Sequence, residues 1–205
     1  MSWYRCTGSG GVVPVEPSIQ LIHNNTTSGS SAYTVTEAGT YMIIVSNSLG
    51  GSRSITLPQG RTASFNEDIE TTYGSTVVIA DLQANDVITM SAAPDQWVAF
   101  SKQIYKLNNL TVASVSTKDA KNDTQESYTT TGSSKYMIVG ICFGRTVNDY
   151  YESTSDAQTS RNLLNRGGVN TLTHIYLDVA DNTPTVILYG YDGGGVNYIR
   201  FNVAY

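Results

Sequence analysis

The chain has 205 residues, 40% hydrophobic and only 14% charged, and 12 Lys plus Arg against 17 Asp plus Glu give a formal net charge of -5. No run of roughly 18 apolar residues occurs, which excludes a helical membrane span, and an acidic chain with sparse Lys and Arg lacks the electrostatic footprint of a nucleic-acid binder. Ser, Thr and Asn supply about a third of the chain, beside 18 Gly and 14 Tyr, a composition that suits strands and turns better than helices.

From the amino terminus, residues 1–13 read as a flexible leader, with Gly8-Ser9-Gly10-Gly11 following Met1-Ser2-Trp3-Tyr4-Arg5-Cys6. The leader has no apolar h-region and no small-residue cleavage site, so synthesis in the cytoplasm without a signal peptide is expected. Short apolar runs bounded by Gly, Asn, Asp, Ser or Pro then follow one another as predicted strands. They are Ile19 to Ile22, Tyr41 to Val45, Arg53 to Leu57, Thr62 to Phe65, Val77 to Ala80, Val87 to Met90, and Val98 to Ile104. After Leu107 the rhythm resumes at Leu110 to Val112, Tyr136 to Phe143, Thr173 to Leu177, Val186 to Tyr189 and Val196 to Tyr205. The fold class expected is all-β.

An internal repeat organises these strands. Ser31-Ala32-Tyr33-Thr34-Val35-Thr36, followed by Tyr41-Met42-Ile43, aligns without a gap on Glu126-Ser127-Tyr128-Thr129-Thr130-Thr131, followed by Tyr136-Met137-Ile138. Ala80 to Asp86 before Val87-Ile88 likewise resembles Leu177 to Thr183 before Val186-Ile187. A tandem duplication predicts two β-sandwiches, residues 14–107 and 108–205, joined by the turn-prone Asn108-Asn109. Between the matched blocks the second half carries Ser155 to Gly167, where Ser155 can cap, Asp156 complements the macrodipole and Gly167 can stop a helix. One short helix is expected there, burying only Leu163 and Leu164.

Each half reads as Gly-x-Tyr-apolar-x-apolar (Gly39-Thr40-Tyr41-Met42-Ile43-Ile44), variable strands, a polar Asn-Asp turn (Asn85-Asp86) and a closing aromatic strand from Trp97 to Leu107. This pattern resembles the jelly-roll module of the tumour necrosis factor superfamily and the complement-type globular head, modules also found in phage and bacterial fibre tips. In the second half Ser134 stands for Gly39 and Thr183 for Asp86, with Pro184 inserted. The leader, with the Thr/Ser/Asn/Gly-rich modules behind it, is similar to the openings of prophage tail or baseplate proteins. The resemblance implies homo-oligomers, trimers foremost, although two modules in one chain can instead pack on each other as a pseudo-symmetric pair. It implies a virion or extracellular place after lysis.

Chemistry-bearing motifs are sparse. His23 and His174 sit on or beside strands, where a structural role is favoured, and no nucleophile elbow, zinc helix, phosphate loop or dinucleotide fingerprint occurs. Cys6 and Cys142 have neither a disulfide framework nor a metal spacing and read as free thiols. The acidic groups Glu67-Asp68 with Glu70, and Asp149 with Glu152, fall in predicted loops and read as solvated turn carboxylates. A polysaccharide-degrading tail enzyme, which would use such a pair, is the alternative. No enzyme activity, cofactor or metal is expected. Tyrosine beside flexible backbone suits sugar rings and adaptable protein contacts, so Tyr150, Tyr151, Tyr191 and Asp192 are the candidate binding residues, while Tyr41, Tyr136 and Tyr198 are expected to pack. The function expected is a non-enzymatic virion or cell-surface structural or recognition protein binding a surface glycan or protein, in contact with other virion or fibre subunits, with a purely structural subunit as a further alternative.

Overall fold

The computed structural model describes residues 16–48, 51–69, 73–93, 100–122, 125–128, 135–143, 152–154, 161–165, 171–179, 186–189 and 195–205. The leader, residues 1–13, lies outside them. The described residues form strands in the order β1 (Ser18–Asn25), β2 (Gly29–Thr34), β3 (Gly39–Ser48), β4 (Ser52–Thr56), β5 (Ala63–Ile69), β6 (Tyr73–Leu82), β7 (Val87–Ala93) and β8 (Phe100–Asn108). They continue with β9 (Thr111–Asn122), β10 (Gln125–Tyr128), β11 (Lys135–Phe143), β12 (Glu152–Thr154), β13 (Arg161–Asn165), β14 (Thr171–Val179), β15 (Val186–Tyr189) and β16 (Gly195–Ala204).

The first eight strands form a large sheet, β1-β8-β3-β6-β5, and a small one, β2-β7-β4; the last eight form β9-β16-β11-β14-β13 and β10-β15-β12. Adding eight to every strand number of the first half reproduces the second, so the internal repeat of the sequence is matched by a repeat of topology. Pairing β1 with β8, β2 with β7 and β3 with β6 nests the chain as a jelly roll does. Between the halves β8 ends at Asn108 and β9 starts at Thr111, and Asn109 turns the chain with φ 50°. Asparagine tolerates that left-handed conformation better than other non-glycine residues.

The segment expected to be helical is corrected in its described part. Residues 161–165 form β13, antiparallel to β14 from Arg161 opposite Leu177 to Asn165 opposite Thr173. A helix here offered only Leu163 and Leu164 for burial, whereas the edge of β14 offers a row of open backbone donors and acceptors. The rest of Ser155 to Gly167 lies outside the described residues.

The large sheet of the first half is buried on both faces. On β3, Tyr41, Ile43 and Val45 pack with Ile88, Met90 and Ala92 of the small sheet, together with Val78, Leu82 and Ile104. Met42 and Ile44, pointing the other way, pack with Val77, Ile79, Tyr105 and Leu107 against Met137, Val139, Ile141, Ile175, Leu177, Ile199, Phe201 and Val203 of the second large sheet. Phe65 meets Phe201 edge to face, ring centroids 6.1 Å apart. The second large sheet in turn touches its own small sheet through β11 and β16 against β15. The layers therefore run small, large, large, small, and the two sandwiches pack on each other as a pair. Strands buried on both faces read as continuous apolar runs, as Tyr41 to Val45 does, whereas the outer β2 alternates exposed and half-buried residues.

Because one apolar core is shared by both halves, Phe201→Ala is expected to cost about 3–5 kcal/mol and to lower the midpoint of a single denaturant transition. Tryptophan fluorescence and far-UV circular dichroism should give coincident curves. Two separated transitions would refute a shared core.

Candidate functional site

The strand ends define two poles. At one, β3 and β8 meet at Asn47 opposite Phe100, β3 and β6 at Ser48 opposite Tyr73, and in the second half Phe143 faces both Thr171 and Gly195. Asn122, the end of β9, also pairs with Gly195. These ends adjoin across the sandwich pair, since Asn197 Nδ2 donates to Ser75 Oγ at 3.0 Å and Thr171 Oγ1 to the Phe100 carbonyl at 3.4 Å. Connections 49–51, 70–72, 94–99, 123–124, 144–151, 166–170 and 190–194 therefore all attach at this loop pole. The opposite, linker pole holds Ser18 opposite Asn108, Thr111 opposite Ala204, and the joint at Asn109.

Tyr150, Tyr151, Tyr191 and Asp192 lie outside the described residues. Their anchors do not. Connection 144–151 leaves from Phe143 and connection 190–194 enters at Gly195, and those two residues are ladder partners. Candidates some forty residues apart in sequence are thus tethered to adjacent strand ends. Residues 94–99, with Trp97 and the start expected for the closing strand, lie outside the described residues, and β8 is described from Phe100.

The acidic residues are placed differently from expectation. Glu67 and Asp68 are not in a loop but on β5, whose alternation of Phe65, Glu67 and Ile69 carries the strand past Phe65. Asp68 is paired with Arg53 at 2.8 Å and accepts the Thr76 hydroxyl at 2.6 Å, so it staples β4, β5 and β6. Glu152 opens β12 opposite Leu188, whereas Glu70 and Asp149 lie outside the described residues. Among the described residues no group of three or more His, Cys, Asp or Glu is placed to hold a metal ion, and no helix is long and apolar enough to cross a membrane.

Tyr41 packs as expected. It is 1% exposed, and its hydroxyl donates to the Glu37 carbonyl at 2.6 Å. Burial, foremost, raises its pKa. The Asn85-Asp86 turn forms with Asn85 at φ 71°, and Asp86 accepts the Gln83 amide at 2.8 Å while pairing with Arg61 at 2.6 Å. The hydrogen bond from Arg61, foremost, holds the Asp86 carboxyl below its ordinary pKa.

Two further features carry chemistry. Inside the first sandwich Lys102 is 0% exposed, its ammonium donating to the Gly29 carbonyl at 2.8 Å. Burial lowers its pKa. His23, on β1, lies with its ring 4.8 Å from that of Tyr33. Its pKa is lowered by burial and, second, by the Lys102 charge. Sequence reasoning missed Lys102 because a lysine after a strand start ordinarily points outward.

The second feature is a pocket of about 240 Å³ at the linker pole, lined by Thr40, Ser64, Ile79, Asp81, Leu110, Thr111 and Val112. It opens where β9 leaves the joint and passes the large sheet of the first half. Its residues are dispersed over four segments, so no local motif announces it.

No family model, no curated protein and no solved structure matches this chain.

The lowered His23 pKa fixes a sign for the pH dependence of stability. The unfolded chain protonates His23 near its ordinary value of 6.5 while the folded chain resists, so between those two values the unfolded state binds more protons. Stability due to His23 is therefore fully present above 6.5 and is lost as pH falls from there to the depressed folded value. The melting temperature is expected to drop over that window in the native protein and to drop less in His23→Gln. Parallel curves for the two proteins would overturn the assignment.

Proposed function

We propose that this chain is a non-enzymatic recognition and assembly protein, a phage-type tail or fibre component that engages a surface glycan or protein through its loop pole. The observation that carries this reading is the pairing of Phe143 with Gly195, which tethers the connection bearing Tyr150 and Tyr151 beside the one bearing Tyr191 and Asp192. Two large sheets packed face to face support a stiff base, and a stiff base lowers the entropic cost of presenting loops for binding. Tyrosine with Asn, Ser and Gly supplies flat apolar faces and hydrogen bonds suited to sugar rings. The repeat of eight strands in the same order supports an origin by tandem duplication. Self-association, as a trimer, is part of the proposal. It would use surfaces other than the inner faces of the large sheets, because those are occupied within the chain.

Binding is expected on a glycan or host-envelope array, with Tyr150→Ala and Tyr151→Ala each weakening it at least about tenfold, the effect of losing a hot-spot aromatic of about 1.4 kcal/mol or more. Their melting temperatures should match that of the native protein. Unchanged binding in both variants would remove the loop pole from consideration. Light scattering on the native chain tests the trimer, which a monomeric mass at micromolar concentration contradicts.

A further inference from the structure

The pocket at the linker pole has a definite hydrogen-bonding polarity. Thr40 Oγ1 donates its proton to Asp81 Oδ1 at 2.6 Å, and Ser64 Oγ donates to the Ile79 carbonyl at 3.0 Å. Each hydroxyl has a single proton, so both oxygens are left with acceptor lone pairs alone, and an ionised carboxylate is an acceptor only. At Thr40, Ser64 and Asp81 the rim therefore combines a negative charge with acceptors, while Ile79, Leu110 and Val112 form an apolar wall. Arg61, the charged donor of the neighbouring turn, is engaged by Asp86, and Lys106 is engaged by Glu37 at 2.6 Å.

We infer that this pocket binds a small organic cation that carries its charge on an N–H head and an alkyl stem, a primary alkylammonium or guanidinium. The head supplies the donors that Asp81, Thr40 and Ser64 lack, and charge-assisted hydrogen bonds to a carboxylate are the stronger kind. The stem lies on Ile79, Leu110 and Val112, as the stems of lysine and arginine lie on apolar surface elsewhere. At about 30 Å³ per water-sized atom the space takes roughly eight non-hydrogen atoms, the size of a short diamine or of one lysine or arginine side chain. Two sources share this chemistry, a free polyamine and a basic side chain of a docked protein. The site is at the opposite pole from the tyrosine-bearing connections, so the inference stands or falls independently of glycan recognition.

The test is a titration of the full chain with 1,5-diaminopentane, with pentanoate as the isosteric anion, followed by amide chemical shifts and calorimetry. Saturable binding in the millimolar range is expected for so small a ligand, with shifts at Thr40, Asp81 and Thr111 and weakening as salt rises. Asp81→Asn, which retains an acceptor for Thr40, should lose at least about tenfold in affinity, and Thr111→Phe, at an exposed position, should close the pocket. Both should melt with the native protein. A blocked Gly-Lys-Gly peptide distinguishes the sources: tighter binding than the diamine assigns the site to a protein side chain, and weaker binding assigns it to a free amine. Absence of saturation by both amines, equal binding of pentanoate, or unchanged affinity in Asp81→Asn would overturn the inference.

Discussion

The structure depends on the face-to-face packing of the two large sheets. Taken alone, each would expose a broad apolar face, with Met42, Ile44, Val77, Ile79 and Tyr105 on one and Met137, Val139, Ile175, Leu177 and Phe201 on the other. At roughly 1.5–3 kcal/mol for full burial of each large apolar side chain, leaving either face in water would offset much of the stability expected of a domain of this size. Packing the faces together removes both. The positions are related by the repeat: β3 and β11 contribute Met42 and Met137, β6 and β14 contribute Ile79 and Leu177, and β8 and β16 contribute Tyr105 and Phe201. An interface built from equivalent positions on two similar modules has the character of an isologous dimer contact contained within one chain.

That interface is not apolar throughout. Toward the loop pole Ser46, Ser75, Ser101 and Gln103 of the first large sheet share it with Thr171, Thr173 and Asn197 of the second, all buried. Ser46 and Ser101 bond each other, the Tyr105 hydroxyl donates to Gln103 Oε1 at 2.9 Å, and Asn197 bonds Ser75 across the interface. Apolar contacts slide against one another at little cost, whereas buried hydroxyls and amides must find partners at set positions. The bonds from Asn197 to Ser75 and from Thr171 to the Phe100 carbonyl can form in one register of the two sheets, and they lie directly beneath the strand ends from which the long connections depart.

The same packing separates the two places proposed to meet other molecules. The loop pole gathers connections from both halves because the bonds from Asn197 to Ser75 and from Thr171 to the Phe100 carbonyl hold their strand ends side by side. The linker pole gathers the joint, the Asn85-Asp86 turn and the acceptor-lined pocket around Asp81. The proposed loop-pole recognition and the proposed cation pocket therefore lie at opposite ends of the stacked sheets.

Much of this was legible in the residues. Short apolar runs between turn formers announced the strands, Tyr41-Met42-Ile43 and Tyr136-Met137-Ile138 announced the repeated strand order, and Asn108-Asn109 announced the turn between β8 and β9, because strand periodicity and turn chemistry are local properties. The edges were less so: β13 lies where caps and charges suggested a helix, and β5 runs on through Glu67 and Asp68, since an edge strand is held by its neighbour's backbone and by partners such as Arg53, distant in sequence. The pairing of the sandwiches, the burial of Lys102, the adjacency of Phe143 and Gly195, and the pocket around Asp81 belong to the tertiary structure alone. Each arises from residues far apart in the chain that meet only when two sheets choose faces and registers, and no local pattern encodes that choice.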